Sequence, residues 1–320
     1  MAELDTTCSE TMTASDAVQG KILGRITKGF QNEISWEAES GYGDGVKTNS
    51  SLLLIANQVQ SIRVSRNTVL GETRNIGSTD ITKFVNGVKL YGVTTEYLQD
   101  RNYNSTNCLL ARAVDRTSGV LASIAFQVGV GKDVSIPVPT WYNFKGCKAR
   151  SVTINTEEDS PIGVTIDWSV KDVTTSTAKV TTCSDTIATV PKSFVGGAFK
   201  RGGSATWGYV VGSVSVTIDN GLHESKDIGN TTILAADAGT RTVTGTANVC
   251  LTDGGAAYWA EIDNMSSDVV ELDFGASSND PSMRFTSAVI GSLEIPLDST
   301  NAVVMTTVPF TGTSVIFEGA

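Results

Sequence analysis

The sequence is poor in the residues that most often carry chemistry, and each scarcity excludes something. It has a single histidine, His223. The commonest general base is therefore available at one place only, a turn between expected strands, where it reads as a solvated residue. No Ser-His-Asp arrangement is persuasive. The five cysteines, Cys8, Cys108, Cys147, Cys183 and Cys250, have no close pairs and are odd in number. Free thiols are expected, and a zinc site, which wants four ligands at short spacings, is not. No apolar run is long enough to span a bilayer. Met1 to Gly20 is polar and acidic, without the basic start and apolar core of a secretion signal, which implies a protein kept in a cytoplasm until assembly or lysis. Nor is there a basic stripe of the kind that grips nucleic acid by its phosphates.

What is present is a repeat. Ser61-Ile62-Arg63-Val64-Ser65 and Leu70-Gly71-Glu72 are echoed 152 positions later by Ser213-Val214-Ser215-Val216-Thr217 and Leu222-His223-Glu224. After one inserted residue, Tyr91-Gly92-Val93-Thr94 faces Thr244-Gly245-Thr246-Ala247. Shifted by 141, Ser151-Val152-Thr153-Ile154 becomes Ser292-Leu293-Glu294-Ile295. The pair Ser151–Ile154 and Ile162–Val170 reads as a hairpin, repeated toward the C-terminus with Val303–Val308 as its second strand. A chain of 320 residues is also long enough for two domains of ordinary size. The expected fold is mainly β: two homologous sandwich-like or barrel-like modules, each with one short flanking helix. Residues 1–50 form an N-terminal arm and first strand, 51–175 the first module, 176–204 a Thr/Gly-rich linker and 205–320 the second module.

The helix of the first module is expected over Cys108–Val114, capped by Thr106-Asn107, and that of the second over Ala256–Asp263, with Ala111 opposite Ala260. Val120–Val130 reads as one long strand, Lys89–Leu98 as another, and Thr79–Asn86 as a single helical turn. Pro137 and Pro139 place an extended arm or edge at 131–146.

The formal charge of -10 is uneven: -4 over residues 1–50, +2 over 51–175 and -8 over 176–320. Glu157-Glu158-Asp159 keeps a hairpin tip solvated more readily than it binds calcium. Asp263, Asp268, Glu271 and Asp273 could form a glycosidase-like pair only if two of them flanked a cleft. Trp36, Trp141, Trp168, Trp207 and Trp259 are spread out and suit packing. No catalytic, cofactor-binding or metal-binding residue is assigned, and no enzyme is expected.

Three stretches resemble a known family. Trp36-Glu37-Ala38-Glu39-Ser40-Gly41-Tyr42-Gly43 is similar to the Glu-x-Ser/Thr-x-Tyr-Gly start of viral tail tube proteins. Ser213–Ile218 with Thr242–Leu251 resembles their inner strand pair, and the hairpin at 292–308 resembles their last two strands. Together these identify the chain as similar to the tandem-duplicated tail tube proteins of tailed bacterial and archaeal viruses. The resemblance implies a structural protein of the virion tail, assembled in the host cytoplasm, whose inner strands pair sideways around a lumen. Three chains would make a pseudo-hexameric ring, and stacked rings a conduit for DNA. Residues 1–30, 131–146 and 190–205 would be contact arms. Tape measure, terminator and baseplate proteins are the implied partners, with a sheath in contractile tails and no membrane. A carboxylate-lined lumen, richest in the second module, would repel passing DNA. Other tail parts (terminator or baseplate) and an extracellular β-sandwich surface protein are the alternatives.

Overall fold

In the computed structural model the described residues are 34–45, 52–54, 59–73, 83–99, 109–117, 119–130, 140–157, 160–178, 183–184, 198–201, 205–206, 211–226, 232–251, 259–260, 263, 267–274, 282–292, 294 and 304–318. Alternating apolar and polar residues keep most of this chain extended, and antiparallel pairing satisfies its backbone. The first half supplies β1 (Ile34–Ala38), β2 (Leu52–Leu54), β3 (Val59–Thr73) and β4 (Lys83–Leu98), then helix α1 (Leu109–Val114). Next come β5 (Arg116–Thr117), β6 (Val120–Leu121), β7 (Ile124–Val130), β8 (Thr140–Glu157), β9 (Gly163–Val170) and β10 (Asp172–Ser176). β11 (Cys183–Ser184), β12 (Ala198–Arg201) and β13 (Ala205–Thr206) are short. The second half continues with β14 (Val211–Asp219), β15 (Leu222–Ser225), β16 (Ala235–Ala238) and β17 (Thr242–Leu251). It ends with β18 (Asp268–Asp273), β19 (Ser282–Ile290), β20 (Val304–Gly312) and β21 (Ser314–Glu318).

Seventeen of these strands belong to one continuous sheet. Its spine is an antiparallel row, β3-β4-β9-β8-β14-β17-β20-β19. Two wings branch from it. β8 carries β7 and β10 along its first half, and β7 carries β1, β2 and β11 in turn. β19 likewise carries β18 and β21, with β12 and β13 beyond β18. Strand β8 serves both wing and row because it bends at Gly146, whose φ of 63° lies in the left-handed region that glycine tolerates best.

The wings fold over one face of the row and enclose the core. Phe126 of β7 meets Trp168 of β9 edge-on at 5.2 Å between ring centroids, and Phe285 of β19 lies 5.7 Å from Phe310 of β20. Val152, Ile154, Val164, Ile166, Val214, Val216, Val243 and Ala247 line the row beneath them, all in one buried cluster. Gly245 belongs to this face because a Cβ there would fall 2.2 Å from the Phe310 ring.

Four expectations are corrected. The chain is not two sandwich modules with a flanking helix each: it is one large sheet whose row runs from β3 to β19, and α1 is the one helix whose bounds lie among the described residues, with Trp259, Ala260 and Asp263 the only other helical positions described. The physical cause is the pairing of β14 with β8, which joins strands of the two halves edge to edge. The run Val120–Val130 is also interrupted, since β6 ends at Leu121 and β7 starts at Ile124. Lys83–Asn86, expected in a helical turn, opens β4. Thr140–Gly146, expected within a contact arm, is strand, with Trp141 and Phe144 in the core. The arms at 1–30 and 190–197, the prolines at 137 and 139, and most of 256–263 lie outside the described residues.

Candidate assembly surface

The seam between the halves is built from ordinary strand chemistry. Seven consecutive residue pairs, from Ser213↔Glu157 to Asp219↔Ser151, hold β14 against β8. Val214, Val216 and Ile218 turn inward with Val152 and Ile154. Helix α1 packs against β8 of the first half and β21 of the second, so it lies across this seam. Its sequence Leu-Leu-Ala-Arg-Ala-Val favours helix, yet six residues are too few to be stable alone. Burial of Leu109, Leu110, Ala111, Ala113 and Val114 holds it.

A polar lock completes the seam. Asn220, fully buried just past β14, donates from Nδ2 to the carbonyls of Ala113 and Ala149, both at 3.0 Å. Its Oδ1 accepts from Arg241 Nε at 3.0 Å. Arg241 also donates to the Val114 carbonyl at the C-terminal end of α1, where a cation suits the open carbonyls. Arg116 donates to the carbonyls of Asn220 and Gly239. Burial, reinforced by the neighbouring Arg116, pulls the Arg241 guanidinium down to about 10, so it stays charged at neutral pH.

The hairpin β15–β16 is the second fastening, and it clasps β8 and β9. Arg150 bridges Glu224 at 2.7 Å and Asp167 at 3.1 Å, while Ser169 Oγ donates to Glu224 at 2.6 Å. Lys148 Nζ donates to the Ala236 carbonyl at 2.6 Å. Burial alone would raise the Glu224 carboxyl, but the bonds from Ser169 and Arg150 outweigh it and hold it below its usual value. A carboxylate depressed on folding adds stability that is present above its unfolded pKa and is lost as pH falls through the folded one. Glu224→Gln is therefore expected to be less stable than the parent near neutral pH. The difference should fade below the ordinary carboxylate range, about pH 4, as followed by thermal denaturation across a pH series.

Beside this hairpin, the tyrosine-glycine stretch after β1 is anchored by Glu39. Its carboxylate accepts backbone N–H groups of Gly43, Gly45 and Gly146 at 3.1, 2.8 and 2.9 Å. Tyr42 stands within cation–π reach of Lys148 and Lys171, at 4.8 and 4.7 Å from the ring centroid. Burial first, then the nearby acidic groups, pushes its phenol up.

The opposite face of the row is hydroxyl- and amide-rich. Thr153, Thr165, Thr217 and Thr244 stand in one line across it, and Asn155, Ser215 and Thr246 in the next. Ser215 donates to Asn155 at 2.7 Å, Asn248 to Ser213 at 2.8 Å, and Thr307 to Asn248 at 2.5 Å. Asp167 and Glu96 lie toward the β3 side, the first held by Arg150 and the second accepting from Ser61.

The residues weighed for chemistry are scattered. His223 is an exposed strand residue of β15, paired with Asp237. Glu157 ends β8 in the open, and Glu158 and Asp159 lie outside the described residues. Glu271 and Asp273 sit on β18 with Arg284 and Lys200 as ion partners, an ion ladder between strands. Asp263 is exposed, and Trp141 and Trp168 are in the core. Cys147 and Cys250 are free thiols, the first fully buried. Among the described residues no group of three or more His, Cys, Asp or Glu could hold a metal ion.

What stands out is edge. Among the described residues β3 is bonded on one side only, to β4, and at its other extreme the row ends on Val289 and Ile290 of β19, whose earlier residues pair with β18 and β21, with Glu294 beyond it. None of the acidic, histidine or tryptophan signals pointed to the Asn220–Arg241 lock, because its partners are backbone carbonyls. No curated protein matches the sequence. A family model described as phage tail tube protein matches residues 38–312, which include the row, both fastenings and the wings apart from β21 and all but the last residue of β1. With most of its length in that match, the chain belongs to the phage tail tube protein family and is a structural protein.

Proposed function

We propose that this chain polymerises through the two ends of its strand row into rings, and that the rings stack into the hollow tail tube through which viral DNA passes. The observation that carries the reading is a row of antiparallel strands that is open along β3, whose described residues pair with β4 alone, on a member of the tube family. Edges of unlike sequence make a head-to-tail contact, which closes into a ring when the rotation permits.

Tandem duplication of the strand set is part of the proposal, and matching registers support it. β3 and β4 pair Val64 with Val93, while β14 and β17 pair Val216 with Gly245, a displacement of 152 on both strands; this register sets Val93 against Gly245, one position from the sequence alignment with its inserted residue, which set it against Thr246. The wings branch alike, β1-β7-β8-β10 and β12-β18-β19-β21. The halves divide within residues 176–204. On this reading three chains supply six such sets to one ring, the hydroxyl-rich face lines the bore, and tape measure, terminator and baseplate proteins meet the tube at its ends. A bore of Ser, Thr and Asn side chains, without a basic track, gives the phosphate backbone little to hold.

The test is negative-stain imaging of the concentrated protein with mass determination of any ring. Stacked hollow rings of three chains are expected. Rings of six chains would keep the conduit and remove the duplication argument. A monomer that never assembles would overturn the reading.

A further inference from the structure

The hairpin β15–β16 has a counterpart in the first half, and the two are held differently. Displaced by 152, Leu222↔Ala238, His223↔Asp237, Glu224↔Ala236 and Ser225↔Ala235 are Leu70↔Asn86, Gly71↔Val85, Glu72↔Phe84 and Thr73↔Lys83, pair for pair. The last pairs of the row agree as well, Asp219↔Thr242 with Asn67↔Leu90. In the first half this outer ladder continues β3 and β4 past a bulge between Thr68 and Leu70. In the second half it leaves the row at the same place and forms a two-stranded sheet of its own, turned onto β8 and β9. One ladder, in one register, thus takes two positions.

The residue at the bulge accounts for the difference. Gly221 has a φ of 56°, in the left-handed region that valine rarely enters. A Cβ there would fall 2.2 Å from the Thr240 carbonyl oxygen, and one on Gly239 would fall 2.5 Å from the Gly221 carbonyl oxygen. The folded position therefore excludes a side chain at either place. Their counterparts are Val69 and Gly87, so the first half keeps one glycine of the two. The seat is not repeated either. The folded ladder rests on Arg150, which bridges Glu224, and on Lys148, which donates to the Ala236 carbonyl. Displaced by 141, as Ser151 is to Ser292, these positions are Gly291 and Val289.

We infer that β15–β16 is a strap with two positions: closed on Arg150 and Lys148, and open in line with β14 and β17, as its counterpart stands on β3 and β4, with Gly221 and Gly239 as the hinge. Among the described strands β15 and β16 pair only with each other, so no ladder bond to the row has to break. The Arg150 side chain is 45% exposed, and a bridge so placed is a modest fastening that salt screens. On opening, Arg150 keeps its bridge to Asp167. The packing of Leu222 and Ala238 against the core favours the closed position in the free chain. Opening lengthens the second half by four residue pairs, about 13 Å, and brings it level with the first.

The experiment is pulsed electron paramagnetic resonance on the full chain, dilute enough to stay unassembled. Spin labels on unnatural keto side chains replace His223 and Thr174, both exposed, so the native cysteines stay. The parent is expected to give one short distance. Gly221→Val should lengthen it by on the order of 10 Å, the length of the released ladder, while circular dichroism and cooperative unfolding show the row intact. Glu224→Gln, which lowers the thermal midpoint of the parent, should leave that of Gly221→Val unchanged, because the carboxylate no longer meets Arg150. A Gly221→Val chain with the parent's distance would overturn the inference. So would a midpoint that Glu224→Gln lowers equally in both backgrounds. Should the valine prevent folding, Lys148→Met with Arg150→Ala removes the seat and leaves the hinge: the longer distance then supports the strap, and the parent's distance overturns it. None of these readings needs a tube, so failure of the assembly proposed above would leave them standing.

Discussion

Trp168→Ala is expected to lower the stability of the chain by about 3–5 kcal/mol, the range for emptying an aromatic site that cannot collapse. Trp168 is fully buried on β9, between the wing and the row. Its indole meets the Phe126 ring edge-on, and Nε1 donates to Thr95 Oγ1 of β4 at 3.0 Å. Three strands are thus fastened by one side chain. β9 lies between β4 and β8, so its loss also loosens the support of the β3 edge. Trp168→Phe separates the two contributions. It keeps most of the apolar volume and leaves the buried Thr95 hydroxyl without the indole donor, a smaller cost of about 1–2 kcal/mol. Urea unfolding of the three proteins measures both steps. If alanine and phenylalanine cost the same, the hydrogen bond carries the site and the packing argument fails.

Local pairing was legible in the sequence because it depends on periods of two and on nearby turns. Ser151–Ile154 and Ile162–Val170 form the hairpin their alternation implies, with Val152 opposite Ile166 and Ile154 opposite Val164. Leu110, Ala113 and Val114 mark α1, and the polar turn signals after Trp36 fall where Glu39 collects its three N–H donors. Distant consequences were not legible. Trp141-Tyr142-Asn143-Phe144 follows two prolines and looks like the end of an arm, but it opens β8, whose flanks on both sides are supplied by β7 and β10. Two alternating segments predict two modules, and only the β8–β14 pairing decides that their strands share one sheet. Asn220 follows an ordinary strand and precedes a glycine, as many turn residues do. Nothing in that context announces that its amide will reach carbonyls of α1 and β8.

Asn220→Ala is the second large effect, expected at about 2–4 kcal/mol although the side chain is small and polar. The substitution removes two donated bonds and two accepted ones, from Arg241 and, at 3.4 Å, from Arg116, at a site with no access to water. Their net worth is about 1 kcal/mol each, and the groups left behind add a desolvation cost because they remain buried. These are the Ala113 and Ala149 carbonyls and Arg241 Nε, while Arg116 keeps its bonds to the carbonyls of residues 220 and 239. The charge at Arg241 makes that last loss the heaviest, since a partly buried guanidinium deprived of an acceptor has only the Val114 and Val315 carbonyls left among its described partners. Asn220→Asp distinguishes the donors from the acceptor. It retains an oxygen for Arg241 and strengthens that contact by charge, but sets carboxylate oxygens against two carbonyls. The aspartate is therefore expected to remain well below the parent at neutral pH and to recover in acid, where a protonated carboxyl can donate once. Alanine shows no such recovery. Thermal unfolding at about pH 7 and about pH 4 reads the difference directly, and an aspartate variant as stable as the parent at neutral pH would show that the amide donors do not hold α1 over the seam.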